Sequence, residues 1–412
     1  MRPLPEMQTE VLARTPLLPL QNVALREALG LVLAADIVAA DDLPAFANSA
    51  VDGYAVRAAD VATAPTTLPV IEEVAAGAVS AQDLAPGTAI KIMTGAPIPA
   101  GADAVVMVEH TEPAGRDVCI VTPVEVGAAI RPAGGDVTAG TTVLEAGTRI
   151  ESAHLGVLAS LGVAWPEVRR RPVVAIVSTG DEVVPPETEV LAPGKIRDAN
   201  RFLLRGALEE LGAVVVDHGI VPDDAATLAR VLGHAARGSD AVVTSGGVSM
   251  GEFDVVKLVF AGGSDVAFHK VAMQPAKPLG FGTLDGTPFF GLPGNPVSVI
   301  VAFEQFLRPA LLHAMGAQGL FRPRVRGVMT EAVHTDPAKE VFLRAVTSYG
   351  SDSGWQARLS GGQSSNVLSA LAAADAFAVA PVGVGDVAAG MEVDLEMFRW
   401  PATRTREQVF DG

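Results

Sequence analysis

The sequence predicts a multidomain α/β plus β protein. Its parts are a central open α/β sheet domain, an inserted β-rich domain, an elongated mixed N-terminal domain and a C-terminal β-barrel-like domain. Three observations carry this expectation. At 412 residues the chain is too long for one hydrophobic core, so about two to four domains are expected. In its middle part, buried-strand runs alternate with helical periodicity, as parallel βαβ units require. After Phe321 the helical period disappears and short strand-like runs remain.

Taken in order, residues 1–43 and 137–168 form the elongated domain in two pieces. Asn22 can cap a helix over Val23–Leu29, Gly30 ends it, and Leu31–Ala35 leads into a strand through Ile37. The second piece holds a helix over Ala153–Leu161, stopped by Gly162. Between them, residues 44–136 carry β-like runs at Leu68–Val74, Ala104–Glu109 and Val118–Val121, separated by Gly/Pro turns. Residues 169–318 give the α/β domain. Its strands are expected at Val173–Ser178, Val214–Val216, Ala241–Thr244, Asp265–Val271, Leu279–Gly282 and Phe289–Gly291. Its helices run from Asn200, as cap, to Leu211, from Asp223 or Asp224 to about Ala236, over Val255–Phe260, and onward from Asn295. Residues 319–412 supply strands at Val325–Met329, Val341–Val346, Ala376–Val379 and Glu392–Met397.

Composition narrows the function. A formal net charge of −17 opposes nucleic acid and anionic membranes as partners. An anionic ligand would need local lysines, helix N-termini or a divalent metal to supply positive field. The single cysteine, Cys119, excludes an internal disulfide and a cysteine-cluster metal site, and reads as a small core hydrophobe. No secretory leader is legible at the N-terminus, and the apolar helix near Val297–Met315 contains Glu304, Gln305, Arg308 and Pro309. A cytoplasmic location is therefore expected.

Four segments follow strands of the α/β domain, where open sheets bind ligands. Ser178-Thr179-Gly180-Asp181-Glu182 offers a tight turn and two acids, a divalent-cation signal. Thr244 to Asp254 contains Ser245, Gly246, Gly247 and Ser249, whose amides and hydroxyls suit phosphate, with Glu252 and Asp254 beside them. Lys270 and Lys277 bracket the Pro-stiffened turn Gln274-Pro275. Gly291 to Ser298, with Pro293, Gly294, Asn295 and Pro296, ends a strand and opens a helix whose dipole favours an anion. In the β-rich insertion, Asn48–Ala55, Met93–Pro97 and the weaker Arg131–Asp136 look like turns, each with a polar group in an apolar setting. Any one segment fits a turn or cap as well as a ligand site. No Ser-His-Asp set or zinc-type histidine spacing occurs, and His269 reads as packed.

In this order, together with Gly101–Val106, the segments resemble the molybdopterin molybdenumtransferase, or molybdenum insertase, family, which includes the C-terminal domain of gephyrin. The resemblance covers nearly the whole chain. It implies an α/β domain of the molybdopterin-binding type and a homodimer with active sites shared between subunits. Asp52, Thr94 and Asp136 would reach each site from the partner. Glu182, Asp223, Asp254, Lys270, Lys277, Pro293 and Pro296 would line it from the α/β domain, with Ser245–Ser249 on pterin or phosphate. Thr179, Gly180, Gly294, Asn295 and Ser298 join the expected ligand-binding set. The family often carries lysine or arginine where Gln274 stands, and an Ala-Asn pair where Ala374-Asp375 lies, while Ser360–Ser365 matches its glycine-serine turn.

The resemblance implies insertion of molybdate into adenylated molybdopterin with release of AMP. Because both reactants are anions in a carboxylate-rich site, Mg²⁺ on Asp181, Glu182 and Asp254 is expected to bridge the pyrophosphate. Transient contacts with a molybdopterin adenylyltransferase and with acceptor molybdoenzymes are expected too. The alternatives are a molybdopterin adenylyltransferase and a non-catalytic scaffold related to gephyrin. Three additional domains oppose the first. The acid and lysine set opposes the second.

Overall fold

In this computed structural model, residues 1–247, 255–261, 265–350 and 353–400 are described. Val173–Val177 and Ala241–Val243 are continuous apolar runs within the strands Val173–Thr179 and Ala241–Ser245, and both strands lie inside a six-stranded sheet, buried on two faces. The spatial order is Val214–Val221, Val173–Thr179, Ala241–Ser245, Thr287–Leu292, Pro278–Leu284 and Ala267–Lys270. The first four are parallel, and the last two pair antiparallel with their neighbours. Alternation along Val173–Thr179 feeds two cores. Val174 and Ile176 meet Leu204, Leu208 and Val297, whereas Ala175 and Val177 meet Leu228, Leu232 and Val256.

Leu4–Ala13 is a helix absent from the sequence-based expectation, because Pro3 and Pro5 obscure its start. Pro5 falls in its first turn, where a missing N–H costs nothing. Its Leu4, Met7 and Val11 are buried in the core of the α/β domain, so this stretch of residues 1–43 packs on the α/β layer. The long helix Pro296–Ala314 has the length and mean hydropathy to cross a membrane, but 83% of its apolar stretch is buried, as in a core helix. It widens into a π-helical turn at Phe303–Leu307. Pro309 explains this, since its ring clashes with the carbonyl four residues back and removes that carbonyl's donor. The freed Gln305 carbonyl instead accepts the Gln8 side-chain amide at 3.2 Å.

The elongated domain contains the antiparallel sheet Leu20–Asn22, Glu167–Arg169 and Val32–Leu33, plus the pair Ile37–Val38 with Thr142–Leu144. Helix Ser152–Ser160 starts in a capping box formed by Glu151 and His154 and stops before Gly162. The expected helix over Val23–Leu29 is only a 3₁₀ turn at Leu25–Glu27. Asn22 ends a strand and caps nothing, because sheet pairing with Glu167 holds its backbone extended.

The insertion is a six-stranded sheet in the order Ala104–Met107, Gly53–Val56, Ala89–Ile92, Thr66–Val74, Asp117–Ile120 and Thr111–Ala114. Asn48–Ala55 is therefore mostly strand. Asn48–Ser49 pairs with Ile130–Arg131, Gly53 begins a central strand, and only the residues between them turn. Cys119 is half-buried in one of these strands.

The C-terminal strands close on themselves: Glu340–Gly350, Gly354–Leu359, Arg324–Met329, Glu392–Met397 and Ala376–Ala380, which pairs back with the first. Closure leaves this five-membered ring without a free edge, around Met329, Leu343, Ala357 and Leu395. Met273–Gln274 from the α/β domain adds a short parallel ladder to Glu340–Val341 and fastens barrel to sheet.

Candidate active site

Register brings the strand ends together: Ser178 lies opposite Ser245, and Ser245 opposite Leu292. The following turns must converge beyond the carboxyl edge. Gly246 adopts φ +92°, and a Cβ there would lie 2.9 Å from the Thr179 carbonyl oxygen and 3.1 Å from its Oγ1. A Cβ on Gly294 would lie 3.8 Å from Gly246 Cα, so three strand ends share one narrow crevice. Gly247 follows with φ +70°. Ser178 and Ser245 hydroxyls are 3.3 Å apart beneath the crevice. Thr179 Oγ1, Thr244 Oγ1 and Asn200 Oδ1 are buried without a hydrogen-bond partner among the described residues. Such unmet polar capacity suits a polar ligand.

Asn200 does not cap its helix. Ala199 holds the cap position, and the Asn200 amide instead donates to the Gly294 carbonyl at 2.7 Å. Asp224, in contrast, accepts the Thr227 amide at 2.8 Å as a true cap. Hydrogen bonds from Thr227 hold its carboxyl below the usual carboxylate range. That frees Asp223, which exchanges hydrogen bonds with Asp181: Asp223 N donates to Asp181 Oδ1 at 3.1 Å, and Asp181 N to Asp223 Oδ2 at 3.3 Å. Asp224→Ala is therefore expected to lower the unfolding midpoint while leaving the reaction intact. Asp223→Ala should do the reverse, and paired melting and activity measurements check both.

The carboxylate of Glu182 folds over Gly180, where a Cβ would lie 2.6 Å from Glu182 Oε2. Among the described residues, Asp181, Glu182 and Asp223 form no ion pair, and Lys195 donates to the Asp181 carbonyl rather than to a carboxylate. No three acidic, histidine or cysteine side chains among the described residues form a metal cage. Asp254 and Ser249 lie outside the described residues. A Mg²⁺ ion nevertheless fits this donor set, since it keeps several waters and takes one or two carboxylates plus substrate phosphates.

Beside the crevice, a cleft of about 570 Å³ opens between the α/β domain and the barrel. Gln274, Lys277 and Ser298 line one wall, and Lys339, Ser364 and Ser365 the other. Asn295 links crevice and cleft: it heads the helix begun by Pro296, but its amide donates to Ser365 Oγ at 2.9 Å instead of capping. Buried Arg344 holds the glycine-serine turn by donating to the carbonyls of Gly362 and Ser364 at 2.6 and 3.2 Å. Asp375 accepts the Thr347 amide at 3.1 Å, a role within the barrel.

Lys270 is exposed at the end of its strand and does not line the cleft, unlike Lys277. His269 is packed against Arg2, and burial holds its imidazole below the usual range. Asp52 and Thr94 meet on the insertion: the Thr94 amide and hydroxyl both donate to Asp52 Oδ1 at 2.7 Å, the amide foremost in keeping that carboxyl acidic. Asp136 is exposed, with its amide on the Leu43 carbonyl. Among the described residues, the hydrogen bonds of Asp52, Thr94 and Asp136 stay within the insertion and its junction at Leu43 and do not reach the α/β crevice. Sequence reasoning missed Lys339, Arg344 and the Asn200–Gly294 contact. Only the Asp336-Pro337 turn ahead of Lys339 hinted at a fixed lysine.

An open α/β sheet with a glycine-lined crevice at its carboxyl edge, joined to a closed barrel and to an elongated domain that carries a β insertion, defines a class of multidomain ligand-binding α/β protein. Three family models match the chain in sequence. These are the MoeA N-terminal region (domain I and II) over residues 2–162, the "Probable molybdopterin binding domain" over 175–313, and the MoeA C-terminal region (domain IV) over 326–398. The chain is 42% identical over 384 residues to molybdopterin molybdenumtransferase 2 of Mycobacterium tuberculosis H37Rv, covering 91% of this chain and 94% of that one. It is 36% identical over 376 residues to molybdopterin molybdenumtransferase of Haemophilus influenzae, covering 91% and 93% respectively. The crystal structure of the molybdopterin biosynthesis moeA protein of Pyrococcus horikoshii OT3 superposes with a TM-score of 0.84 at 31% identity, over 97% of this chain and all of that one. The chain belongs to the molybdopterin molybdenumtransferase (MoeA) family.

Proposed function

We propose that this chain is a cytoplasmic molybdenum insertase, which inserts molybdate into adenylated molybdopterin and releases AMP. The observation that carries the reading is the adjacency of two anion-suited spaces, the glycine-lined crevice and the Lys277–Ser298–Ser364–Ser365 cleft, joined through Asn295 and Ser365. Pterin and pyrophosphate fit the crevice, where the Gly246, Gly247 and Gly294 turns bring backbone close. Molybdate fits the cleft, where the Lys277 ammonium and the hydroxyls of Ser298, Ser364 and Ser365 can replace its hydration. Asp181, Glu182 and, by family resemblance, Asp254 would hold Mg²⁺. When bound, that ion supplies positive charge to the pyrophosphate as AMP leaves. The residues of the chain do the rest by orienting the dithiolene toward the oxyanion and excluding water between two domains.

The purified chain, mixed with adenylated molybdopterin, molybdate and Mg²⁺, should release AMP and stop when Mg²⁺ is chelated. Pyrophosphate release when ATP and unadenylated molybdopterin are supplied instead, without AMP release from the adenylated substrate, would indicate an adenylyltransferase, and neither reaction a scaffold.

The active form is proposed to be a homodimer with Asp52, Thr94 and Asp136 completing the partner's site. These polar groups sit on the insertion, and their hydrogen bonds do not reach the crevice of their own chain. Mixing inactive Asp52→Ala and Lys277→Ala proteins should restore about a quarter of wild-type activity, because about half the dimers are hybrids with one intact site. No recovery after demonstrated subunit exchange would sink the shared site. Acceptor molybdoenzymes and a molybdopterin adenylyltransferase remain the proposed transient partners.

A further inference from the structure

Lys339 stands just before the barrel strand Glu340–Gly350, whose first residues pair with Met273 and Gln274. That register fixes Lys339 against Gln274: its Nζ lies 3.4 Å from Gln274 Oε1 and 2.6 Å from Asp336 Oδ2. The lysine side chain is only 17% exposed, whereas Asp336 is 38% exposed. An ion pair that only stabilised a turn would not require the longer side chain to be turned into an interdomain cleft, since exposed pairs contribute little. Lys277 faces the same cleft from the α/β wall. The Asp336 carboxyl is held below the usual range by Lys339 first, then by the Ala338 amide, with Lys277 adding to the effect. Asp336 is thus the counter-charge paired with Lys339, and Lys277 acts on it only at longer range. Gln274 is neutral, so Lys339 meets no like charge there.

We propose that Lys339 is an oxyanion ligand of the cleft, forming with Lys277 a two-lysine clamp for a tetrahedral dianion, with Asp336 as the internal counter-anion that the ligand displaces. The proposal rests on the reading of the cleft as the oxyanion site. Two ammoniums on opposite walls match two negative charges, and the displaced Asp336 carboxylate can turn to water. Binding also draws the barrel and the α/β domain onto one ligand.

Equilibrium dialysis of the full chain with molybdate alone tests this. Lys339→Ala should raise the dissociation constant about tenfold or more, the scale of losing one charge-assisted hydrogen bond, whereas Lys339→Arg should largely keep affinity. Asp336→Asn removes the same ion pair but should leave binding unchanged or tighter. If it weakens binding as Lys339→Ala does, Lys339 acts only through the turn and the proposal fails. Lys277→Ala separates the two readings. If Lys277→Ala weakens binding and Lys339→Ala does not, the clamp alone is overturned. If neither does, the cleft is not the oxyanion site. Molybdate dependence of AMP release should show the same split, with KM raised more than kcat is lowered in Lys339→Ala.

Discussion

Glu182→Gln will lower AMP release by about 10²-fold or more, the scale of losing one preorganised electrostatic group, while the protein melts as before. The glutamate is exposed at the rim and carries no ion pair among the described residues, so its removal leaves no buried charge behind. The amide keeps the size of the side chain that lies over Gly180, and the backbone bond from Ile196 N to the Glu182 carbonyl is untouched. What changes is one negative charge next to Asp181 and Asp223. A chain of net charge −17 that binds two anions keeps unpaired carboxylates there only if a cation joins them to substrate. The Mg²⁺ concentration for half-maximal rate should therefore rise together with the fall in rate. Normal turnover with an unchanged Mg²⁺ requirement would remove Glu182 from the metal.

Glu304→Leu will destabilise the protein by about 3–5 kcal/mol, the cost of leaving a buried charge without its partner. Glu304 is 5% exposed on the π-helical turn and accepts from Arg322 Nε and Nη2, each at 2.9 Å. Arg308 lies 3.7 Å from the same carboxylate. Arg149 joins them around a cavity of about 160 Å³ between the elongated domain, the α/β domain and the segment leading to the barrel. Burial already pulls Arg308 down to about 10, with Arg322 adding to the effect, so removing Glu304 leaves these cations with only the more distant Glu210 and Glu396 as counter-charges. The midpoint of the first urea transition should fall accordingly. An unchanged midpoint would mean that water already screens the cluster.

The α/β domain was legible because Val173–Val177 and Ala241–Val243 are short, β-branched-rich apolar runs that end in hydroxyl and glycine turns and alternate with helical periodicity, as doubly covered parallel strands do. The expected strand ends were also the turns that meet in the crevice, so Thr179, Gly180, Ser245, Gly246, Gly247, Pro293 and Gly294 could be named from the sequence. Cap chemistry was less legible. Both Asp223 and Asp224 could have opened the helix, and both Asn200 and Asn295 looked like caps, but the two asparagines spend their amides on Gly294 and Ser365. Such choices depend on what lies across the space, which local sequence does not record.

By itself the sequence determined the parallel sheet and the turns at its carboxyl edge, because periodicity and turn chemistry are local and written in the residues, and the order of its motifs carried the family resemblance. Tertiary structure decided the rest. It placed Leu4–Ala13 on a core formed mainly by residues far along the chain, opened the helix at Pro309 so that Gln8 could reach the Gln305 carbonyl, and closed the barrel. It also brought Lys339 to Gln274, 65 residues away, by pairing two-residue Met273–Gln274 with the start of a barrel strand. Contacts of that range are fixed by packing and register, and neither can be read from the residues on one side alone.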